Sequence, residues 1–263
     1  MRPELFWAYQ DTFEALGIPG FGFFSRPHLL WLAGLLAGII VFSAVYCRVG
    51  ERARDDMRKG LALFLILFEI FKQCVVALTG APGSLNLPIE ICSFAEYTIL
   101  ADAFWPKNRI LKPFLAFAYL PAAFLALLLP ATVNYPATSF YAVHLFVLHA
   151  AIVAYIAARY AAGELRPRYA GLWLTVLGIL LLILPVRRLD RGLGVNYMFL
   201  VYHEDNPVLK LVWDLSGGTG GVSYVFGLSV LVILVFHVMY GIFVLLRLVS
   251  DRKNRRSRMP GVL

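Results

Sequence analysis

Residues 224–246 read YVFGLSVLVILVFHVMYGIFVLL, an uninterrupted apolar run whose one polar ring is His237. At 1.5 Å per residue such a run spans the roughly 30 Å of a bilayer's hydrocarbon core. Six further apolar segments precede it, at His28–Tyr46, Gly60–Leu78, Leu87–Phe104, Ile110–Leu129, Ser139–Ala158 and Leu172–Val186. The pattern predicts an all-α, polytopic membrane helical bundle of about seven transmembrane helices in a single integral-membrane domain, 1–263. The sixth segment is the shortest and ends in Pro185, so it reads as broken or tilted. Proline and glycine punctuate the chain between segments, at Pro82-Gly83, Pro106, Pro130, Pro136 and Pro167.

Composition points the same way. The 263-residue chain is 60% hydrophobic and 15% charged, with a mean hydropathy of +0.73. A water-soluble domain carries about 25% charged residues, so this chain has too little polar surface to cover its apolar surface in water. Intrinsic disorder and a collagen-like fibre are excluded, and three cysteines are too few for a secreted disulfide scaffold. No cleavable signal is visible, because Glu4, Asp11 and Glu14 stand where a basic n-region and apolar run would lie.

The formal charge of +8 follows topology rather than a nucleic-acid partner. Seventeen Lys and Arg fall in the 47–60, 105–113 and 159–170 loops and in the tail 247–263, against six on the opposite side. By the positive-inside rule this puts the N-terminus outside and the basic loops and C-terminal tail in the cytoplasm of a multi-pass cell-membrane protein. The outer connection 187–223 is unusually long and glycine-rich, and contains two apolar stretches. It reads either as a cap over the outer mouth of the bundle or as a partly ordered surface loop.

Polar groups inside the apolar segments are the candidates for chemistry, because charge at membrane depth is costly. The second segment holds Glu69, Lys72 and Gln73; the third holds Glu90, Cys92, Ser93, Glu96 and Asp102. Glu69 and Lys72, three apart, share a helical face and read as an ion pair, as Cys92 and Glu96 share one four residues apart. Asp102, near the cytoplasmic end, reads as solvated, as do His28 and His203. His144 and His149 lie on the fifth segment, about 140° apart around the axis, so they cannot both face one partner. No metal is expected, since no His-Glu-x-x-His or Cys-x-x-Cys spacing occurs, and no phosphate-cradling loop or nucleophile elbow is present. No cofactor is expected either.

A thiol with possible bases remains. Cys92 lies about 8 Å below the outer boundary and His149 about 15 Å, and a neighbouring histidine is what turns a thiol into a nucleophile. His144 matches the depth of Cys92 slightly better. Cys92 could equally be a small buried hydrophobe or form a disulfide with Cys74. A transporter or substrate-binding subunit without chemistry is the rival class, with Glu69, Lys72, Glu90 and Glu96 lining a wet path. No inverted repeat supports it.

Leu87-Pro88-Ile89-Glu90-Ile91-Cys92-Ser93 resembles the Leu-Pro-x-x-x-Cys-Ser signature of the YwaF-like bacterial integral-membrane family. Leu125–Pro130, the Phe140–Ala150 stretch with His149-Ala150, and Asn196-Tyr197-Met198-Phe199-Leu200 follow in that family's order, across about residues 25 to 245. The family is similar to vertebrate transmembrane protein 164, a lipid acyltransferase, and more remotely to the androgen-induced/ADTRP-type membrane hydrolases. The resemblance implies a catalytic Cys92 with His149 as its base. Glu90, Glu96, His144, Asn196 and Tyr197 are candidates for orienting the base or binding substrate. It also implies membrane phospholipids and lysophospholipids as substrates. The vertebrate pattern has Asn-Pro-Cys-His where this chain has Ile-Glu-Ile-Cys-Ser.

Overall fold

The computed structural model describes residues 3–204 and 206–257. Arg2 and Arg258, both counted in the charge balance, lie outside them. Two short helical segments, Pro3–Phe6 and Gln10–Ala15, precede the bundle. The bundle comprises α1 (Arg26–Arg48), α2 (Glu51–Thr79), α3 (Ile91–Phe104), α4 (Leu111–Leu128), α5 (Phe140–Ala161), α6 (Tyr169–Leu193), α7 (Pro207–Leu215) and α8 (Val222–Ser257). All but α3 and α7 are long and apolar enough to cross a membrane, six spans among the described residues. The architecture is an all-α polytopic bundle.

Two expectations change. The third segment is helical only from Ile91, and its 14 residues rise about 21 Å, short of a hydrocarbon core. The residues before it, 80–90, form a non-helical stretch with a single 3-10 turn at Gly83–Leu85. The sixth helix is longer than expected, because it runs through Pro185 to Leu193. Proline removes one backbone donor but is tolerated in a membrane helix whose neighbours and local adjustments meet the freed carbonyl. The helix stops at Gly194, whose φ of 67° is open to glycine at no steric cost.

The helix α5 is the centre. In its apolar window 78% of residues are buried, against 6% for α1. Ala142, Ala150, Ala151, Ala154 and Ala158 all lie buried on it; such small side chains let neighbouring backbones approach. It touches α1, α2, α3 and α4, while α6 and α8 pack around α4. Within α4 residues Leu115–Tyr119 form a π-helical turn, all five buried. Pro121 lies just beyond, where a regular helix would set its ring against the carbonyl of Phe117; the wider turn accommodates it.

Side-chain contacts show which connections share an end of the bundle. At one end the Glu164 carboxylate, from the loop after α5, accepts from Tyr46 Oη (2.9 Å), Arg58 Nη1 (3.3 Å) and Arg159 Nε (3.2 Å). Lys112 Nζ donates to the backbone oxygen of the same residue at 3.2 Å. Arg159 also pairs with Asp102, which accepts a 2.7 Å hydrogen bond from Tyr155 Oη. The ends of α1, α2, α3, α4 and α5 therefore meet at the three basic loops. At the opposite end His28 Nε2 bonds Leu127 O (2.8 Å), Trp31 Nε1 donates to Ala137 O (2.9 Å), and Phe21 N donates to Tyr135 O (3.1 Å).

These contacts correct two readings. Asp102 is fully buried and Arg159 is 1% exposed, so neither is solvated; each neutralises the other across α3 and α5. His28 is fully buried as well, with Nδ1 accepting from Phe24 N at 2.9 Å. Breaking a buried ion pair leaves one charge uncompensated, at a cost of about 3–5 kcal/mol. Asp102→Ala should lose about that much stability in detergent thermal unfolding, whereas Tyr46→Phe should lose about 1 kcal/mol.

Candidate functional site

The polar residues of α2, α3 and α5 converge inside the bundle. Lys72 Nζ lies 2.8 Å from Glu69 Oε1, one helical turn away along α2. Gln73 Nε2 donates to the same oxygen and to Asn86 O, both at 2.7 Å. His144 stacks on Phe68 with ring centroids 4.5 Å apart, and its Nε2 stands 3.6 Å from Glu69 Oε2. His144 thus borders the α2 ion pair, its Nε2 buried without a hydrogen-bond partner among the described residues. Glu96, one turn beyond Cys92 on α3, is 1% exposed, and its Oε2 has no hydrogen-bond partner.

His149 lies one and a half turns further along α5 and is buried. Its Nδ1 bonds Leu145 O at 2.6 Å, which makes Nδ1 the protonated nitrogen and leaves Nε2 as the basic one. His237 on α8 uses the same backbone bond, Nδ1 to Ile233 O at 2.8 Å, but its Nε2 then accepts from Tyr169 Oη at 3.3 Å. Both nitrogens of His28 and of His237 are therefore engaged. For His149 the bond to Leu145 is the one hydrogen bond formed among the described residues.

Cys92 is a free, partly buried thiol in the first turn of α3, and Cys74 is a free, exposed one on α2. The two do not form the disulfide that the sequence allowed. Cys92 lies two residues after Glu90, the N-cap of α3. Among the described residues no group of three His, Cys, Asp or Glu gathers as metal ligands would.

The chain between α6 and α8 closes over this start of α3. Glu90 Oε2 accepts from Met198 N at 2.9 Å. Tyr197 Oη donates to Ser84 O at 2.6 Å and accepts from Leu87 N at 2.8 Å, while Tyr197 N donates to Asp190 Oδ1 at 2.9 Å. Burial pushes the Tyr197 hydroxyl up to about 12, so at neutral pH it keeps the proton it donates. Asn196 folds the turn itself: Oδ1 accepts from Val201 N (2.8 Å) and Tyr202 N (3.1 Å), and Nδ2 donates to Tyr202 O and Glu204 Oε1. Arg187 donates to Leu200 O and, at 2.7 Å, to Gly220 O, joining both ends of the connection. The connection is an ordered cap rather than a loose loop. Glu90, Asn196 and Tyr197, expected as orienting or substrate-binding groups, are engaged in building it.

Sequence reasoning missed Asp190, Arg187 and Asn86. Arg187 and Asp190 sit past Pro185, where the helix was expected to have ended, and Asn86 acts through its backbone oxygen.

A polytopic helical bundle with a buried polar centre beneath a cap is the class that fold and site define. The chain matches the TMEM164 family over residues 23–240 and belongs to that family. No curated protein and no solved structure matches it.

Tyr197→Phe should release the tether to residues 84–87 while leaving the Tyr197 backbone bond to Asp190 intact. Hydrogen–deuterium exchange of peptides covering residues 82–92 should then quicken by roughly thirtyfold, the equivalent of two hydrogen bonds at about 1 kcal/mol each. Peptides from the middle of α5 should exchange as in the unaltered protein.

Proposed function

We propose that this TMEM164-family protein is a membrane-embedded lipid acyltransferase or lipid-ester hydrolase, with Cys92 as nucleophile and His149 as base. The observation that carries the reading is the state of His149. It is a buried histidine with one nitrogen fixed by its own helix and the other unclaimed, on the helix that packs against the one bearing a free thiol. The resemblance, which implies the base at His149, favours it over His144, whose Nε2 stands 3.6 Å from Glu69. The resemblance to the YwaF-like proteins supports the cysteine chemistry, and the remoter one to the androgen-induced/ADTRP-type threonine hydrolases supports lipid esters as substrates.

His149 Nε2 takes the thiol proton, and the thiolate adds to the carbonyl carbon of a phospholipid ester. The ester C–O bond breaks, His149 returns the proton to the departing lysophospholipid oxygen, and the acyl group is left as a thioester on Cys92. A second lipid's hydroxyl, or water, gives its proton to His149 and attacks the thioester; the C–S bond breaks and the thiol is restored. Phospholipids and lysophospholipids are the proposed partners. Glu90 and Tyr197 act as positioning residues, since both hold the backbone that leads into Cys92.

Purified protein given a chain-labelled phospholipid and a lysophospholipid should transfer or release the label. Cys92→Ala should reduce this to background, and His149→Gln should slow it by about 10²–10⁴; Cys47→Ser should match the unaltered protein. No transfer or release, with Cys92→Ala indistinguishable from wild type, would end the reading.

Transport of a small solute or ion is a second reading, favoured by the unpartnered Glu96 Oε2 beside the Glu69–Lys72 pair. It expects the opposite pattern: a harmless Cys92→Ser, and uptake lost in Glu96→Gln.

We further infer that the basic end, which gathers the 47–60, 105–113 and 159–170 loops, faces the cytoplasm, as the charge balance requires. A cysteine placed at Glu51 in a cysteine-free background should react with a membrane-impermeant maleimide only after permeabilisation. Strong labelling of intact cells would reverse the orientation.

A further inference from the structure

A groove of about 350 Å³ opens on the lipid-facing side of the bundle between α2 and α3. Its walls include Ile66, Ile70, Ala77 and Tyr97, and Glu69 and Gln73 form its polar part. The outer faces around it are fit for lipid: Leu67 is 63% exposed and Ile70 52%. A carboxylate lining an apolar groove at membrane depth is costly unless something engages it.

We propose that this groove binds a membrane lipid bearing a free hydroxyl, its chain along the apolar walls and its hydroxyl donating a hydrogen bond to Glu69. The charges select that ligand chemistry. Glu69 Oε1 is occupied by Lys72 and Gln73, whereas Oε2 has only His144 Nε2 at 3.6 Å, beyond hydrogen-bond reach. A carboxylate offers about four lone-pair sites, so acceptor capacity is unfilled. Lys72 already balances the charge, so a cationic head group would meet little net attraction. A free fatty acid would bring a second carboxylate against Glu69. A neutral hydroxyl fits both the charge and the open acceptor, and a lipid with every hydroxyl esterified offers no donor. Gln73 is held from behind by Asn86 O, so the polar part of the groove is preorganised. The inference deepens the acyl-transfer reading by giving the acyl acceptor a place, and rests on that reading only for the use made of the bound lipid.

The test uses the full chain carrying Cys92→Ala in nanodiscs, so that no turnover intervenes. The probe is a one-chain glycerophospholipid with a free glycerol hydroxyl and a diazirine on its chain. Photo-crosslinks mapped by mass spectrometry should concentrate in residues 66–77 and 88–97. Unlabelled probe should compete about tenfold better than its methyl ether, the loss expected when a hydrogen bond to a charged group is removed. Glu69→Gln, whose neutral amide oxygen accepts less strongly, should cut that discrimination to about threefold, and Ala77→Trp should empty the groove of crosslinks while helical content and elution volume stay unchanged. If Glu69→Gln does not fold, the methyl-ether comparison and Ala77→Trp decide alone. Crosslinks spread evenly over the lipid-facing sides of α1 and α8, or equal competition by the methyl ether, would overturn the site. Because the protein tested lacks the thiol, failure of Cys92 chemistry leaves this outcome untouched, and the reverse also holds.

Discussion

The buried guanidinium of Arg159 is the constraint on which the bundle turns. It sits near the end of the most enclosed helix, 1% exposed, where an unpaired charge could not stay. Asp102 from α3 and Glu164 from the following loop neutralise it. Glu164 in turn draws in Tyr46 from α1 and Arg58 from α2. Four helix ends are thereby fixed by one set of charges, each of which needs the others to be tolerable at that depth. Lipid cannot satisfy polar groups as water does, so displacing any one of these ends would strand a charge.

The opposite end is organised by different means. Backbone groups there are met one by one, by neutral side chains (Tyr197 on Ser84 and Leu87, Trp31 on Ala137, His28 on Leu127) and by Glu90, Asp190 and Arg187. The neutral bonds contribute about 1 kcal/mol each. The start of α3, with Cys92, lies beneath this end, opposite the one anchored by interlocked charges.

Between the ends, the polar centre divides into two groups with different neighbours. Glu69, Lys72 and Gln73 form a connected set on α2 beside His144 of α5, and Glu69 and Gln73 line the lateral groove. Cys92 and His149 carry no such ties to side chains. His237, by contrast, engages both ring nitrogens.

Hydropathy and charge are sums over neighbouring residues, and whatever depends on such sums was legible in the sequence. The run 224–246 read as a membrane helix; the alternation of basic and non-basic connections matches the two ends of the bundle; Glu69 with Lys72 read as a pair because three residues make one helical turn. The free state of Cys92 and the burial of Asp102 were decided by tertiary structure. So was the placement of His144 beside Glu69, and the use of Glu90, Asn196 and Tyr197 to build the cap. Each depends on which helices adjoin and how each is rotated about its axis, and a rotation of one residue step, about 100°, exchanges partners without altering composition. The start of α3 at Ile91 and the passage of α6 through Pro185 were hidden for a related reason. Apolar residues are equally at home in a helix or in a buried non-helical stretch, and only the neighbouring elements determine where the backbone's hydrogen bonds are met.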